Sequence, residues 1–279
     1  MKGYSIHVGV NYLDRNYYYK SYRHLSAANK DAKRMRDLAI KAGFTPNEKI
    51  FLNHLAKRDD FFKSLEKIGK YFNKEDTLLF TFSGHGASFT DKRSGIKIQS
   101  MCFYDGFIRE DELRMKLSEY LPSESKVLWV SDCCHAGGLA SPSEFINKVH
   151  TTEIIKQLPE SEVNKIIKKN ENDYSTRWGH LIKEEETTVS IKLLAACKQT
   201  QKAIELKNQY GYFTESLIYI WNKKDFIKSY KSFIKEIHQD VINPLRLPKP
   251  KSSFQEAALE NYGPTNNAFD NSKPFSIQY

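Results

Sequence analysis

The stretch VLWVSDCCHAGG, residues 127–138, runs from an apolar segment straight into an acid, two cysteines, a histidine and two glycines. The apolar segment has the length and composition of a buried strand. Ligands in open α/β sheets bind beyond the carboxyl ends of the strands, which is where this polar group falls. The stretch therefore predicts a strand followed by a candidate site that includes Cys133 and Cys134.

A second strand of the same kind is predicted at DTLLFTFSGHG, residues 76–86, which also ends in glycines. Its last residues place His85 between Gly84 and Gly86. Because the carboxyl ends of parallel strands lie along one edge of a sheet, we expect His85 to lie near the two cysteines.

Strand-like and helix-like segments alternate on both sides of these two stretches. Strands are predicted at 4–12, 48–55 and 187–198, a hairpin or loop at 95–106, and helices at 26–44, 57–72, 109–121, 210–222 and 229–243. We expect Ser26 to cap the first helix, and the tail from Pro244 is proline-rich. This alternation predicts an α/β fold, a parallel sheet covered by helices.

The pattern lapses into a polar, charged segment at about 142–187, which is too long for an ordinary connection. We interpret it as an insert or linker with some helix, within a single domain that spans 1–279. The chain starts almost directly at its first strand, and we expect no separate N-terminal recruitment domain.

Composition narrows the class of protein. The four cysteines do not form a disulfide framework, which favours a reducing compartment, and no apolar run is long enough to span a membrane. We therefore predict a cytoplasmic protein without membrane attachment. The net charge is +9, but the lysines are scattered between acids. A nucleic-acid partner is therefore not expected, although a basic nucleic-acid-binding protein stays a rival hypothesis.

The two strand ends have the chemistry of a cysteine nucleophile. A thiol needs a neighbouring base to raise its thiolate fraction, which His85 could supply, and glycines let a substrate carbonyl approach backbone N–H groups. The alternatives are that the cysteines and His135 are ordinary strand-end residues, or that they bind zinc. Zinc is disfavoured because adjacent cysteines lack the usual spacer.

Two motifs, Ser83-Gly84-His85-Gly86 and Asp132-Cys133-Cys134-His135-Ala136-Gly137, resemble those of caspase-like cysteine peptidases, in the metacaspase and bacterial caspase-like (orthocaspase) branch. The interval between His85 and Cys134 is close to the roughly 50 residues of the caspase pattern. GVNYLD, LSAANKDA, AACKQTQKAIEL and GYFTESL resemble further family segments, so the resemblance covers nearly the whole chain outside the insert. It implies the caspase-haemoglobinase fold, with a mostly parallel six-stranded sheet flanked by helices.

The resemblance also implies a catalytic role for each motif residue. Cys134 would be the nucleophile, His85 the general base and acid, and the N–H groups of Gly86 and Cys134 the oxyanion hole. Cys133 would be structural. A caspase-fold scaffold without activity is the alternative, and the presence of both His85 and Cys134 counts against it.

Specificity is predicted from two acids. Metacaspases carry the equivalent of Asp132 and cleave after arginine or lysine, and Asp31 matches the second acid of that pocket. A carboxylate pair suits a cationic substrate side chain because charge-assisted hydrogen bonds compensate buried acids. Arg23 is the basis of the alternative, a peptidase that cleaves after aspartate.

No cofactor is predicted to be required, although the resemblance leaves calcium open. Asp105, Glu110 and Asp111 fall where some calcium-binding acids of type I metacaspases lie, but Ser141 stands where a further acid is expected. We favour helix capping for the three acids.

In relatives the insert is often cleaved during activation, and Lys168, Lys169 and Arg177 are the predicted self-cleavage positions. The partners implied are protein or peptide substrates with arginine or lysine at the cleaved position, and an activating partner. By analogy the setting is a stress, cell-death or antiviral-defence pathway.

Overall fold

The computed structural model describes residues 1–18, 22–47, 49–91, 95–134, 153–179, 186–198, 201–223, 229–243, 245–247 and 255–277. Its strands are β1 (Gly3–Gly9), β2 (Thr45–Pro46), β3 (Phe51–Leu52), β4 (Thr77–Ser83), β5 (Gly86–Thr90), β6 (Lys97–Phe103), β7 (Gly106–Arg109), β8 (Lys126–Asp132), β9 (Glu153–Ile155), β10 (Ser190–Ala195), β11 (Ile204–Leu206), β12 (Tyr210–Gly211) and β13 (Ala258–Tyr262). Its helices are α1 (Ala28–Lys41), α2 (Arg58–Gly69), α3 (Glu110–Tyr120), α4 (Glu160–Lys169), α5 (Glu171–Trp178), α6 (Tyr212–Trp221), α7 (Tyr230–Val241) and α8 (Asn267–Asn271). A short 3₁₀ helix covers Asn53–Leu55.

The central sheet has the order β13-β10-β8-β4-β1-β2. All its pairings are parallel except that of β13 with β10. The short strands β2 and β3 both pair with β1, one near its start and the other at its end, so the seven strands form a sheet that is six strands wide. Strands β4, β8 and β10 are buried along their whole length, as expected for parallel strands covered on both faces. The predicted α/β class and mostly parallel six-stranded sheet are therefore confirmed.

A hydrophobic core lies on each face of this sheet. Phe80 and Trp129 belong to the core on one face, whereas their strand neighbours Leu79 and Leu128 belong to the core on the other. This division follows from the two-residue alternation of side chains along a strand.

Two small antiparallel sheets flank the central one. The predicted hairpin is present, with β6 pairing both β5 and β7. In the other sheet β11 pairs both β9 and β12. No local sequence pattern predicts β9, and β13 lies in the proline-rich tail, where no strand is predicted.

Residues 153–179, within the predicted insert or linker, pack on the domain. The ring of Tyr174 stacks on Phe107 with 5.8 Å between centroids, and Trp178 stacks on Phe89 at 5.5 Å. Some helix was predicted here, and α4 and α5 supply it. This packing could not be predicted because the segment is mostly polar and only a few aromatic side chains hold it in place.

The predicted cap of the first helix is wrong. Helix α1 begins at Ala28, and its N-cap residue makes no side-chain cap hydrogen bond. The hydroxyl of Ser26 instead donates to Glu205 at 2.9 Å. Across the described ranges, no helix has both the length and the apolar character that crossing a membrane requires.

Candidate active site

The two predicted strand ends meet at one edge of the sheet. Strands β4 and β8 are neighbours, and Ser83 pairs with Asp132 in their register. His85 and Cys134 each follow two residues later. A Cβ added to Gly86 would overlap the backbone of Cys134, lying 2.8 Å from its carbonyl carbon, so the close approach of the two loops requires glycine at this position.

His85 has a defined tautomer. Its Nε2 lies 2.7 Å from the carbonyl oxygen of Arg23, and since a carbonyl only accepts, Nε2 carries the proton. The Nδ1 atom is buried and has no hydrogen-bond partner among the described residues. Burial lowers the pKa of His85 to about 4, so the ring is neutral near pH 7. The imidazole is thus held with its lone pair on Nδ1, as a general base requires.

Cys134 is buried in its thiol form. Its Sγ accepts a hydrogen bond of 3.0 Å from the N–H of Ala203, and its side chain belongs to the core that also contains Cys197. Burial raises the pKa of the Cys134 thiol well above its usual value, and the adjacent Cys197 adds to this rise. Nucleophilic attack from this environment needs a base to remove the thiol proton.

Cys133 is buried in the core on the opposite face. Its Sγ lies 3.3 Å from the hydroxyl of Ser131. The alternation of side chains along the strand end therefore separates the two cysteines, which agrees with a structural role for Cys133. The predicted site positions His135, Gly137 and Gly138 lie outside the described residues.

Asp31 and Asp132 form one acidic pocket that already holds a cation. The Nζ of Lys156 lies 3.2 Å from Oδ2 of Asp31 and 3.0 Å from Oδ1 of Asp132. It also donates to the hydroxyl of Ser83 at 3.0 Å. Burial works to lower the pKa of the Lys156 ammonium, but the carboxylates of Asp132 and Asp31 together raise it above its usual range. The pocket therefore binds a charged ammonium group.

The main chain of Lys156 occupies the predicted oxyanion site. Its carbonyl oxygen accepts hydrogen bonds from the N–H groups of Gly86 at 2.9 Å and Cys134 at 3.1 Å. Its own N–H donates to the carbonyl of Ala203 at 2.9 Å. The geometry is that of a peptide lying across the site with its cationic side chain in the acidic pocket.

Helix α6 and the strand before it close the pocket. The hydroxyl of Thr214 donates to Oδ2 of Asp132 at 2.6 Å, and the N–H of Gly211 donates to Oδ1 of Asp31 at 3.2 Å. A Cβ on Gly211 would lie 2.6 Å from Nζ of Lys156. This position therefore leaves room for the cation.

Four of these residues were missed at the sequence level. Ser83, Gly211 and Thr214 lie within stretches that carried the resemblance, so the motifs could have indicated them. Lys156 lies in the polar insert, and no local pattern distinguishes it from the other lysines there.

The guanidinium of Arg23 contacts the main chain of β9. Arg23 is an exposed residue, and its Nη1 donates to the carbonyl oxygen of Glu153 at 3.4 Å. The main-chain carbonyl of Arg23 makes the closer contact with the site, through His85. These positions do not favour the alternative of cleavage after aspartate.

The three calcium candidates make other contacts. Asp105 accepts from the N–H of Arg58 at 2.9 Å, and Asp111 accepts from the N–H of Glu112 at 2.9 Å while pairing with Arg109. Glu110 is buried at the start of α3. No group of three or more possible metal-ligating side chains occurs within the described ranges. Calcium, which the resemblance leaves open, therefore stays the alternative to helix capping for these acids.

Comparison with known proteins gives one family. A family model described as the caspase domain matches residues 13–259. Metacaspase-2 and metacaspase-3 of Trypanosoma brucei brucei are each 25% identical to the chain over 150 residues, which is 48% of this chain. Those residues cover 42% and 40% of the two proteins, so the matched region spans less than half of these relatives.

Solved structures support the same fold. A Geobacter sulfurreducens protein matches with a TM-score of 0.82 and 24% identity, and the match covers 100% of each chain. Caspase-1 from Spodoptera frugiperda matches with a TM-score of 0.58 and 11% identity, over 94% of this chain and 86% of that one. At such low identities the likeness concerns the fold alone.

Proposed function

Since the chain belongs to the caspase-domain family, we propose that it is a cysteine endopeptidase that cleaves after lysine or arginine. Cys134 is the nucleophile, and His85 is the general base and acid. Asp31 and Asp132 select the cationic side chain at the cleaved position.

One observation carries this proposal: Lys156 is bound as a substrate would be. Its side chain lies between the two acids while its carbonyl accepts from Gly86 and Cys134. Two N–H groups aimed at one carbonyl oxygen stabilise the negative charge that develops there when the carbonyl is attacked. A structural salt bridge alone would need only the side-chain half of this arrangement.

The proposed reaction has two steps. The Cys134 thiol gives its proton to Nδ1 of His85, and Sγ attacks the carbonyl carbon to form a tetrahedral oxyanion held by the two N–H groups. His85 then gives the proton to the leaving amine as the C–N bond breaks, which leaves an acyl-enzyme. Water, deprotonated by His85, hydrolyses the thioester and restores the thiol.

Self-cleavage is the first reaction that this arrangement supports, and the bond concerned is Lys156–Gln157. Peptidases take their substrates as extended strands, and Glu153–Ile155 is such a strand. Lys168 and Lys169 lie in α4, and Arg177 lies in α5. Cleavage at those three positions would require the helices to unwind, so Lys156 replaces them in the proposal.

Two measurements test the proposal. A panel of fluorogenic peptides with lysine, arginine or aspartate at the cleaved position, run with and without calcium, should show Cys134-dependent cleavage of the first two only. Activity only on the aspartate peptide would reject the assigned specificity, and absence of activity under all conditions would favour the scaffold alternative. Intact mass spectrometry should find fragments 1–156 and 157–279 in wild type but not in the Cys134→Ala or Lys156→Gln variants.

The wider setting is carried over from the resemblance. We propose a cytoplasmic enzyme of a stress, cell-death or defence pathway that acts on protein substrates and responds to an activating partner. Because the site is filled by Lys156 in this structure, such a partner would act by promoting its cleavage or release.

A further inference from the structure

We propose that the cleft recognises a second substrate side chain, a long aliphatic residue at the third position, where the lysine or arginine at the cleaved bond is the first. The inference rests on the proposed function and on the segment bound in the site. Strand β9 pairs antiparallel with β11, in a register that sets Ile154 opposite Glu205. Counting back from Lys156, Ile154 holds the third position.

Ile154 is almost completely enclosed, with 3% of its surface exposed. It packs with Leu25 and Ala28 in a small hydrophobic cluster that is separate from the two main cores. A side chain that served only to hold the domain together would be expected to join one of those cores. In this cluster Leu25 and Ala28 enclose Ile154 beside the cleft, as the walls of a side-chain pocket would.

The two pockets share one wall. Ala28 and Asp31 lie one turn apart on α1, so both face the same side of the helix, and both are buried. Alternate side chains of an extended strand point to the same side, which directs the first and third residues of a bound peptide toward α1. Asp31 therefore contacts the first side chain of the bound segment, and Ala28 contacts the third.

The wall of the second pocket is fixed by the strand that binds the peptide backbone. The buried carboxylate of Glu205, on β11, accepts hydrogen bonds from the N–H of Ser26 at 2.6 Å and of Ala27 at 3.2 Å. These bonds hold the segment from Leu25 to Ala28 against β11. Because these bonds do not involve the side chain of Ile154, we expect the pocket to keep its shape without an occupant, so that little ordering is needed on binding.

The second position is expected to discriminate less. Ile155 is only half-buried and packs at the border of one main core. A polar residue there keeps more contact with water than one in the enclosed pocket of Ile154. The proposed preference is thus an aliphatic residue at the third position, little discrimination at the second position, and lysine or arginine at the first position.

Three fluorogenic peptides test the inference: acetyl-Ile-Ile-Lys, acetyl-Ser-Ile-Lys and acetyl-Ile-Ser-Lys, each with a fluorogenic amide. We expect kcat/KM to fall about tenfold or more when serine replaces isoleucine at the third position, and less at the second. The comparison is a ratio within one enzyme preparation, so the fraction of sites still filled by Lys156 cancels. Equal values for the first two peptides would overturn the inference while leaving cleavage after lysine intact. Failure to cleave any of the three would reject the proposed function as well.

A pair of variants assigns the preference to the pocket. Leu25→Ser should reduce the ratio of the first two peptides toward one, whereas Leu55→Ser, at a residue that is 53% exposed on the 3₁₀ helix, should leave it unchanged. Leu25→Val shortens the same wall while staying apolar and should give an intermediate ratio, which covers the case in which Leu25→Ser fails to fold. An unchanged ratio in folded Leu25→Ser or Leu25→Val protein would show that the preference does not arise here.

Discussion

The ammonium nitrogen of Lys156 lies 3.0 Å from Oδ1 of Asp132, and both side chains are sealed from solvent. Removing two ions from water costs several kcal/mol for each, and their attraction often does no more than offset this cost. A buried pair of this kind is therefore weak support for a stabilising role. Its position beside Gly86 and Cys134 is better explained by binding of a substrate-like segment.

Removal of the cation should be costly because it leaves two carboxylates buried together. In a Cys134→Ala background, which prevents self-cleavage, we expect Lys156→Gln to lower the free energy of unfolding at pH 7 by about 3–5 kcal/mol. Lys156→Arg keeps the charge and should lose less. Urea unfolding measures both, and equal losses in the two variants would argue against charge compensation.

The loss in Lys156→Gln should also shrink on acidification. Burial raises the pKa of Asp31 above its unfolded value of 3.8, and without Lys156 this rise should be larger. The folded state then binds more protons than the unfolded state, so the variant gains stability relative to its parent as the pH falls toward that raised pKa. A difference between variant and parent that stays constant from pH 7 to pH 5 would contradict this reading of the pocket.

Gly211→Ala tests whether the acidic pocket requires a residue without a side chain at position 211. The φ of Gly211 is −75°, which alanine adopts without strain, so the effect is steric: the new Cβ would lie 2.8 Å from Oδ2 of Asp31. We expect kcat/KM for lysine and arginine peptides to fall about tenfold to a hundredfold. Gly95→Ala is the control, because it has open space around it but a φ of +69°, so it costs stability without filling the pocket. Comparable loss of activity in both variants would assign the effect to folding.

The fold could be predicted from the sequence because its central strands are continuous apolar runs ended by glycines. The edge of the sheet that carries His85 and Cys134 followed from the same pattern, since parallel strands align their carboxyl ends. Strand β13 could not be found in this way because it is a partly exposed edge strand in a proline-rich tail. Local pattern is weakest where an element is held by its neighbours and not by its own periodicity.

That Lys156 occupies the acidic pocket could not be predicted from the sequence, for a related reason. In sequence, Lys156 looks like Lys168 and Lys169. What distinguishes it is its place in the tertiary structure, where the chain returns to the edge of the sheet beside Gly86 and Cys134. The acids were found because motifs hold them near the strand and helix ends. The predicted self-cleavage positions were chosen by composition, whereas the choice of Lys156 needs the pairing of β9 with β11.

Asp173→Asn tests how the insert is held. The carboxylate of Asp173 lies 3.0 Å from Nη2 of Arg58, whose side chain is only 5% exposed, and it accepts from the hydroxyl of Tyr17 at 2.8 Å. We expect a loss of about 1–2 kcal/mol in urea unfolding, reduced from a fully buried pair because Asp173 is partly solvated. Arg177 binds both Asp173 and Asp59, and Asp59 is the more exposed of the two. Asp59→Asn should therefore have little effect. Equal effects would mean that burial of Arg58 does not matter.

The protonation of His85 can be measured by its linkage to stability. Burial lowers its pKa from 6.5 to about 4, so between these pH values the unfolded chain binds a proton that the folded chain does not. In the Cys134→Ala background, the parent should therefore lose about 1.4 kcal/mol per pH unit relative to His85→Gln as the pH falls through this range. Urea unfolding at several pH values gives the slope. A difference that does not change with pH would mean that the folded imidazole titrates normally, and the neutral Nδ1 on which the proposed proton transfer depends would then be lost just below pH 6.5.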